Sequence, residues 1–280
     1  MKKYINHTSV LSKRISNFFE THVDKEVMLL LDGTGILSSY QNTVLSLIGF
    51  ERLQRFKQIH LVSGSTYALF IFLAQQSGQL LWGPNDIQLW NKYVRSWHGI
   101  TPVWSLFKFL TYKALKLPAG RFGGHRKVCS QILSQEFLER PLSSFSNRYY
   151  FWTYDSIAGE LILLNSENEY RELTVADVIS MACSIPSIFG SHTLNGVNYI
   201  DAMDAKDYPK FKYSVFKGQN VLHMNMVREG RKEGIHSLRI HEWNDGNKLI
   251  RRDFYRFLCG FKNPEFDFVT KYALFGEESI

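Results

Sequence analysis

Short apolar runs that end in tight polar turns alternate with stretches of helical spacing along most of the chain. Glu26 to Leu31 (EVMLLL) is one such run, and it breaks at once into Asp32, Gly33, Thr34 and Gly35. That pattern predicts a buried strand entering a turn, and Tyr40 to Ile48 then has helical spacing. Gln58 to Val62 (QIHLV) predicts a second buried strand, followed directly by a helix over Ser65 to Gln76. Strand, sharp turn and helix, twice in succession, predict a parallel α/β sheet.

The pattern continues past the middle of the chain. Arg148 to Tyr154 and Glu160 to Leu164 read as strands joined through Gly159, and Asn198 to Asp201 and Asn220 to Val227 as two more. Thr174 to Cys183 reads as a helix with Thr174 as N-cap and Asp177 at the third helical position, stopped by Pro186. A late helix is predicted over Lys248 to Leu258, although the tail after Glu242 carries no signal of function. Without repeats or low-complexity linkers, 280 residues predict one domain spanning 1–280.

Composition adds a setting. No run of eighteen uncharged apolar residues is present, and Met1 to Arg14 is polar and mixed, so neither a membrane span nor a secretion signal is expected. Cys129, Cys183 and Cys259 are far apart and lack zinc-ligand spacing, which predicts no disulfide framework, no metal and a reducing, cytoplasmic location. His125, His223, His236 and His241 have no evident ligand partner, and His60, on an apolar strand, reads as a satisfied core histidine. No cofactor is expected, and the oligomeric state is left open.

Charge changes the picture more. The net charge is +7, yet between Asp86 and Glu136 there is no acidic residue, while Lys92, Arg95, Lys108, Lys113, Lys116, Arg121, Arg126 and Lys127 are all basic. Trp90, Trp97 and Trp104 lie among them. The window at about 82–121 reads as a helical insertion, broken near Gly99 and Pro102. Interleaved cations and rings suit peripheral contact with an anionic membrane, with Trp90, Trp97, Trp104 and Lys108 facing it. A helical pair with a buried aromatic stripe and a solvated basic face fits the same residues. Single-stranded nucleic acid would tolerate such a window too, but no recognised module motif accompanies it, and no nucleic acid partner is expected.

Candidate chemistry gathers at the two early turns. A serine where a strand turns sharply into a helix is lifted above the sheet, with the helix N-terminus beneath developing negative charge. Ser65 is taken for that position. A glycine-bearing turn after a neighbouring strand, Asp32 to Gly35, can offer backbone N–H groups to the same point.

Three ordered blocks resemble the patatin-like acyl hydrolases. LLLDGTGI at Leu29 to Ile36 looks like the DGGG loop of that family, and Ser63, Gly64, Ser65, Thr66, Tyr67, Ala68 line up with its GxSxG elbow. MACSIPSIFG at Met181 to Gly190 resembles the ASxAIPxxF segment, and NGVNYIDAMD at Asn195 to Asp204 the strand that ends in DGG. In this register Ser63 and Tyr67 occupy the flanking glycine positions, and Ala202 and Met203 replace the glycines after the aspartate.

The resemblance implies a patatin-like three-layer α/β sandwich with a mainly parallel central sheet flanked by helices. It implies a serine acyl hydrolase cleaving fatty acyl esters, of phospholipids or related lipids, through an acyl-enzyme. Ser65 would be nucleophile and Asp201 base, with Gly33, Thr34 and Gly35 forming the oxyanion hole. Thr66 in a shifted register and Asp204 are the reserve nucleophile and base. The alternative is a catalytically inactive patatin-like fold that binds a lipid or a partner.

Overall fold

The structure, a computed structural model, describes residues 2–33, 38–81, 83, 111, 125, 129–185, 191–225 and 235–239. The strands are β1 (Val27–Leu31), β2 (Phe56–Val62), β3 (Tyr149–Asp155), β4 (Glu160–Leu164), β5 (His192–Leu194), β6 (Val197–Asp201), β7 (Asn220–Asn225) and β8 (Ile235–Arg239). They form one sheet in the order β5-β6-β3-β2-β1-β7-β8, with β4 paired to β3. The β3-β2-β1-β7-β8 portion is parallel throughout. β4, β5 and β6 enter antiparallel. The chain is therefore a mixed α/β fold with a mostly parallel central sheet, as expected.

Helices cover both faces. They are α1 (Lys2–Thr21), α2 (Ser38–Ile48), α3 (Phe50–Leu53), α4 (Gly64–Gln76), α5 (Gln135–Leu138), α6 (Val175–Ala182) and α7 (Tyr208–Phe216). Every residue of β1 is buried, because alternate side chains enter two separate cores. Val27, Leu29 and Leu31 join Ile59, Leu61 and Phe151 beneath residues of α1, α2, α4 and α6. Met28 and Leu30 join Val62, Trp152 and Val221 beneath Tyr208 and Phe216 of α7. This two-sided burial is why β1 reads as an unbroken apolar run.

Local signals set several boundaries. The Thr174 hydroxyl caps α6 at the Asp177 N–H, and the Asp177 carboxylate returns a bond to the Thr174 N–H. His60 is a satisfied core histidine: Trp152 Nε1 donates to its Nδ1 at 3.0 Å, and its Nε2 meets Gln58 Oε1 at 3.1 Å. Burial holds its pKa down at about 3, so it stays neutral. The N-terminal helix α1, the helix α7 and the edge strand β8 carry weaker sequence signals and were not anticipated. Among the described residues no helix is long and apolar enough to cross a membrane. The basic aromatic window, with Trp90, Trp97, Trp104 and Lys108, and the helix expected at 248–258 lie outside the described residues.

Candidate active site

Strand register brings two distant turns together. β2 runs parallel to β3 up to the pair Val62↔Trp152. The next β3 residue, Thr153, pairs with Asp201 at the end of β6. β4 occupies the other edge of β3 along this whole stretch, from Phe151↔Leu164 to Asp155↔Glu160. β2 and β6 therefore share one edge of β3 and meet end to end. Ser63, the first residue after β2, and Asp201, the last of β6, converge there.

Ser63 is the elbow residue. Its φ of 57° and ψ of −128° place a non-glycine residue in the positive-φ region, where the backbone turns from β2 into α4. Such strain is characteristic of a serine held on a sharp strand-to-helix turn. Two contacts brace it. Cys183 Sγ donates to the Ser63 carbonyl at 3.0 Å, and the Thr66 N–H donates to the same oxygen at 2.9 Å. Burial, aided by the nearby Asp201 charge, pushes the Cys183 thiol well above its ordinary pKa, so it remains an S–H donor. Cys183, buried in the core, is thus also a brace for the turn.

Ser65 has a different place. It is fully buried, and its Oγ accepts from Val62 N–H at 2.6 Å. Its single proton is shared between the carbonyls of Leu31 and Val62, both at 2.9 Å. The hydroxyl expected to attack substrate instead ties β1, β2 and α4 together. The sharp positive-φ turn lies two residues earlier, on Ser63, with Leu61 and Ser65 two residues to either side and Gly64 directly after it. Tyr67 then leaves the elbow altogether: it lies in the core with its hydroxyl 2.7 Å from His125 Nδ1. Thr66, the reserve nucleophile, is also fully buried, and its Oγ1 has no hydrogen-bond partner among the described residues.

Asp201 is buried at the end of β6. Its backbone N–H donates to Ser184 O at 2.9 Å, which fastens β6 to the turn after α6. Oδ1 accepts from the Met203 N–H at 3.0 Å. Oδ2 is buried without a hydrogen-bond partner among the described residues. Burial raises the carboxyl pKa to about 7 against the opposing pull of the Ser63 hydroxyl and the Met203 N–H, with Asp204 and Asp32 adding to the rise. The Ser63 hydroxyl thus lies near enough to favour the carboxylate, although the pair falls short of a formed hydrogen bond. Asp204, the reserve base, lies in the following 3-10 turn, Ala202–Asp204, with much of its surface open to solvent, and partial desolvation of its carboxyl raises its pKa too.

The loop after β1 is anchored by charge. Asp32 is buried, and Lys212 Nζ of α7 lies 2.8 Å and His223 Nε2 of β7 3.2 Å from its Oδ2. The Tyr208 hydroxyl donates to Oδ1, and Gln41 Nε2 donates to the Asp32 carbonyl. Although desolvation opposes ionisation, His223 and Lys212 together hold the carboxyl well below the usual range. His223, which showed no partner in the sequence, is a partner of Asp32.

Gly33 runs close beside the elbow. A Cβ on it would overlap Met203 Sδ and stand 3.0 Å from Ser63 Cβ, so any larger residue here would have to displace the Met203 thioether and crowd the elbow. Its N–H, however, donates to Asp32 Oδ1 at 3.1 Å, which occupies the donor expected for an oxyanion. Thr34 and Gly35 lie outside the described residues. Gly64 begins α4, where backbone N–H groups lack an intrahelical partner, and the amide after an elbow serine is a natural oxyanion donor. The serine-glycine pair directly after the strand was the available signal for it. No cluster of potential metal ligands occurs among the described residues.

Compared with models of known protein families the chain matches none, and comparison with curated proteins gives no match either.

Proposed function

We propose that the chain is a serine acyl hydrolase in which Ser63, in place of Ser65, is the nucleophile and Asp201 the general base. The observation that carries this reading is the positive-φ serine at the end of β2 facing a buried carboxylate whose pKa is about 7. A base works best when its pKa lies near the working pH. The patatin resemblance of the loop, elbow and Asp201 blocks supplies the reaction class: esters of fatty acids, phospholipids or related lipids.

In that mechanism Ser63 Oγ bonds to the acyl carbon as its proton passes to Asp201, and the carbonyl electrons move onto oxygen. The N–H of Gly64 receives that oxyanion. A well-placed donor of this kind contributes about 3 kcal/mol to the transition state. Collapse breaks the bond to the leaving alcohol, which takes the proton from Asp201. Water, deprotonated by Asp201, then releases the acid and restores Ser63.

A fluorophosphonate probe tests the reading. Labelling is expected on Ser63, retained in Ser65→Ala and lost in Ser63→Ala together with ester cleavage. Hydrolysis unchanged in Ser63→Ala overturns it, and wild-type protein that neither labels nor cleaves esters favours an inactive binding fold. Contact of the basic aromatic window with anionic membranes belongs to the same reading, and cosedimentation with phosphatidylserine vesicles that weakens with rising salt tests it.

A further inference from the structure

The site as folded is closed. Ser63 is 3% exposed and Asp201 1%. In the turn that follows Asp201, Met203 and Asp204 both reach solvent, Met203 at 43%. After β6 the chain enters the 3-10 turn Ala202–Asp204, which buries Ala202 and turns Met203 outward. The Met203 N–H holds Asp201 Oδ1, while its side chain folds back over the loop. There its Sδ occupies the place a Gly33 Cβ would take, with Cγ 3.1 Å and Ser63 Cβ 3.0 Å from that same point. One residue therefore touches the base through its backbone and fills the gap between the Asp32–Gly33 loop and the nucleophile through its side chain.

An acyl carbon must come within about 3–3.5 Å of the attacking oxygen. Met203 Sδ overlaps the Cβ position of Gly33, a point 3.0 Å from Ser63 Cβ, so the thioether borders the nucleophile on that side. We propose that Met203 is the gate and acyl-size selector of the Ser63 site, its side chain swinging off Gly33 to admit substrate. Methionine suits such a role, being unbranched with a flexible, polarisable side chain. Its exposure means that the swing moves it into solvent rather than through packed core. The Asp201 bond is made by the backbone, so it survives both the swing and most substitutions at 203.

This inference rests on Ser63 as nucleophile, and the experiment separates the two. Labelling rates of wild type, Met203→Ala and Met203→Ile are measured with a small ethyl fluorophosphonate and with a bulky long-chain one. In each reaction Ser63 Oγ bonds to phosphorus, fluoride leaves and the proton goes to Asp201. Met203→Ala is expected to speed the bulky probe about tenfold or more, while changing the small one much less. Met203→Ile, stiff at χ1, is expected to slow both. Ser63 labelling whose size preference is the same in all three proteins overturns the gate and leaves the nucleophile standing. Absence of labelling in all three, with Tm unchanged, overturns the Ser63 reading and the gate with it.

Discussion

The two serines of the elbow make opposite demands on the fold, and their variants separate scaffold from chemistry. Ser65→Ala removes the acceptor of the Val62 N–H and the donor shared by the Leu31 and Val62 carbonyls, all in the dry interior. Leaving a buried polar group without its partner costs about 1–3 kcal/mol. For a chain of this size that corresponds to a fall in Tm of about 2–12 °C. Ser63→Gly does the reverse: it relieves a positive-φ strain of about 1–3 kcal/mol, offset by about 0.4–1 kcal/mol of added unfolded-state entropy. Its Tm is expected to stay level or rise. Thermal unfolding and fluorophosphonate labelling on the same samples give the full pattern: Ser65→Ala less stable and labelled, Ser63→Gly as stable as wild type and unlabelled. The reverse pattern, with Ser63→Gly destabilised and labelled, refutes the assignment of the two residues.

Further outcomes follow from the electrostatics and from the cap of α6. Asp201 must be ionised to accept a proton, so kcat/KM is expected to fall as pH drops below about 7, and a profile flat between pH 5 and 8 contradicts this. Because its folded pKa is raised, ionising it costs stability as pH climbs from about 4 through about 7. Asp201→Asn should therefore raise Tm at pH 8 and not at pH 4, while abolishing turnover. Lys212→Met strands a buried Asp32 charge and is expected to cost about 3–5 kcal/mol near neutral pH. The lowered Asp32 pKa means that this pair stabilises above about pH 4 and weakens on acidification, so the gap in Tm between Lys212→Met and wild type should narrow in acid. Thr174→Ala removes the cap of α6 and should cost about 1 kcal/mol by chemical denaturation, with labelling of Ser63 preserved.

Local physics explains which parts of this could be read from the chain. β1, β2, β3, β4, α4 and the capped helix α6 are apolar runs or helical spacings bounded by their own turn residues, and each falls within a residue or two of its expected place. The Asp201 strand was legible for the same reason. The proposed move of the elbow by two positions was hidden because a serine stands on either side of Gly64, and the pattern of flanking glycines does not distinguish them once both glycines are gone. Only the backbone does so: Ser63 has the positive φ, and Ser65 has its hydroxyl committed to three main-chain groups. The anchor of the first loop was hidden for a different reason. Tyr208, Lys212 and His223 reach Asp32 from 176, 180 and 191 residues away, and a lysine on a short helix ordinarily reads as solvated.

That anchor changes how the departures from the patatin pattern bear on function. A loop with fewer glycines beside a hindered elbow has fewer backbone conformations in which its donors can line up, so its placement matters more. Here the position is fixed from outside the loop. Lys212 and Tyr208 come from α7, His223 from β7, and Gln41 from α2, so three elements grip one aspartate whose main chain is also held by Met224 O at 3.0 Å. A buried charge so fully paired contributes little net stability compared with an apolar replacement, but it tolerates few alternative placements. Geometry at Gly33 and Ser63 is then set by the sheet and by α7. Lys212→Met consequently tests more than stability: if the grip positions the elbow, the surviving folded protein should label at Ser63 more slowly than wild type at a temperature where both are fully native. Equal labelling rates there would reduce the Asp32 cluster to a structural pair.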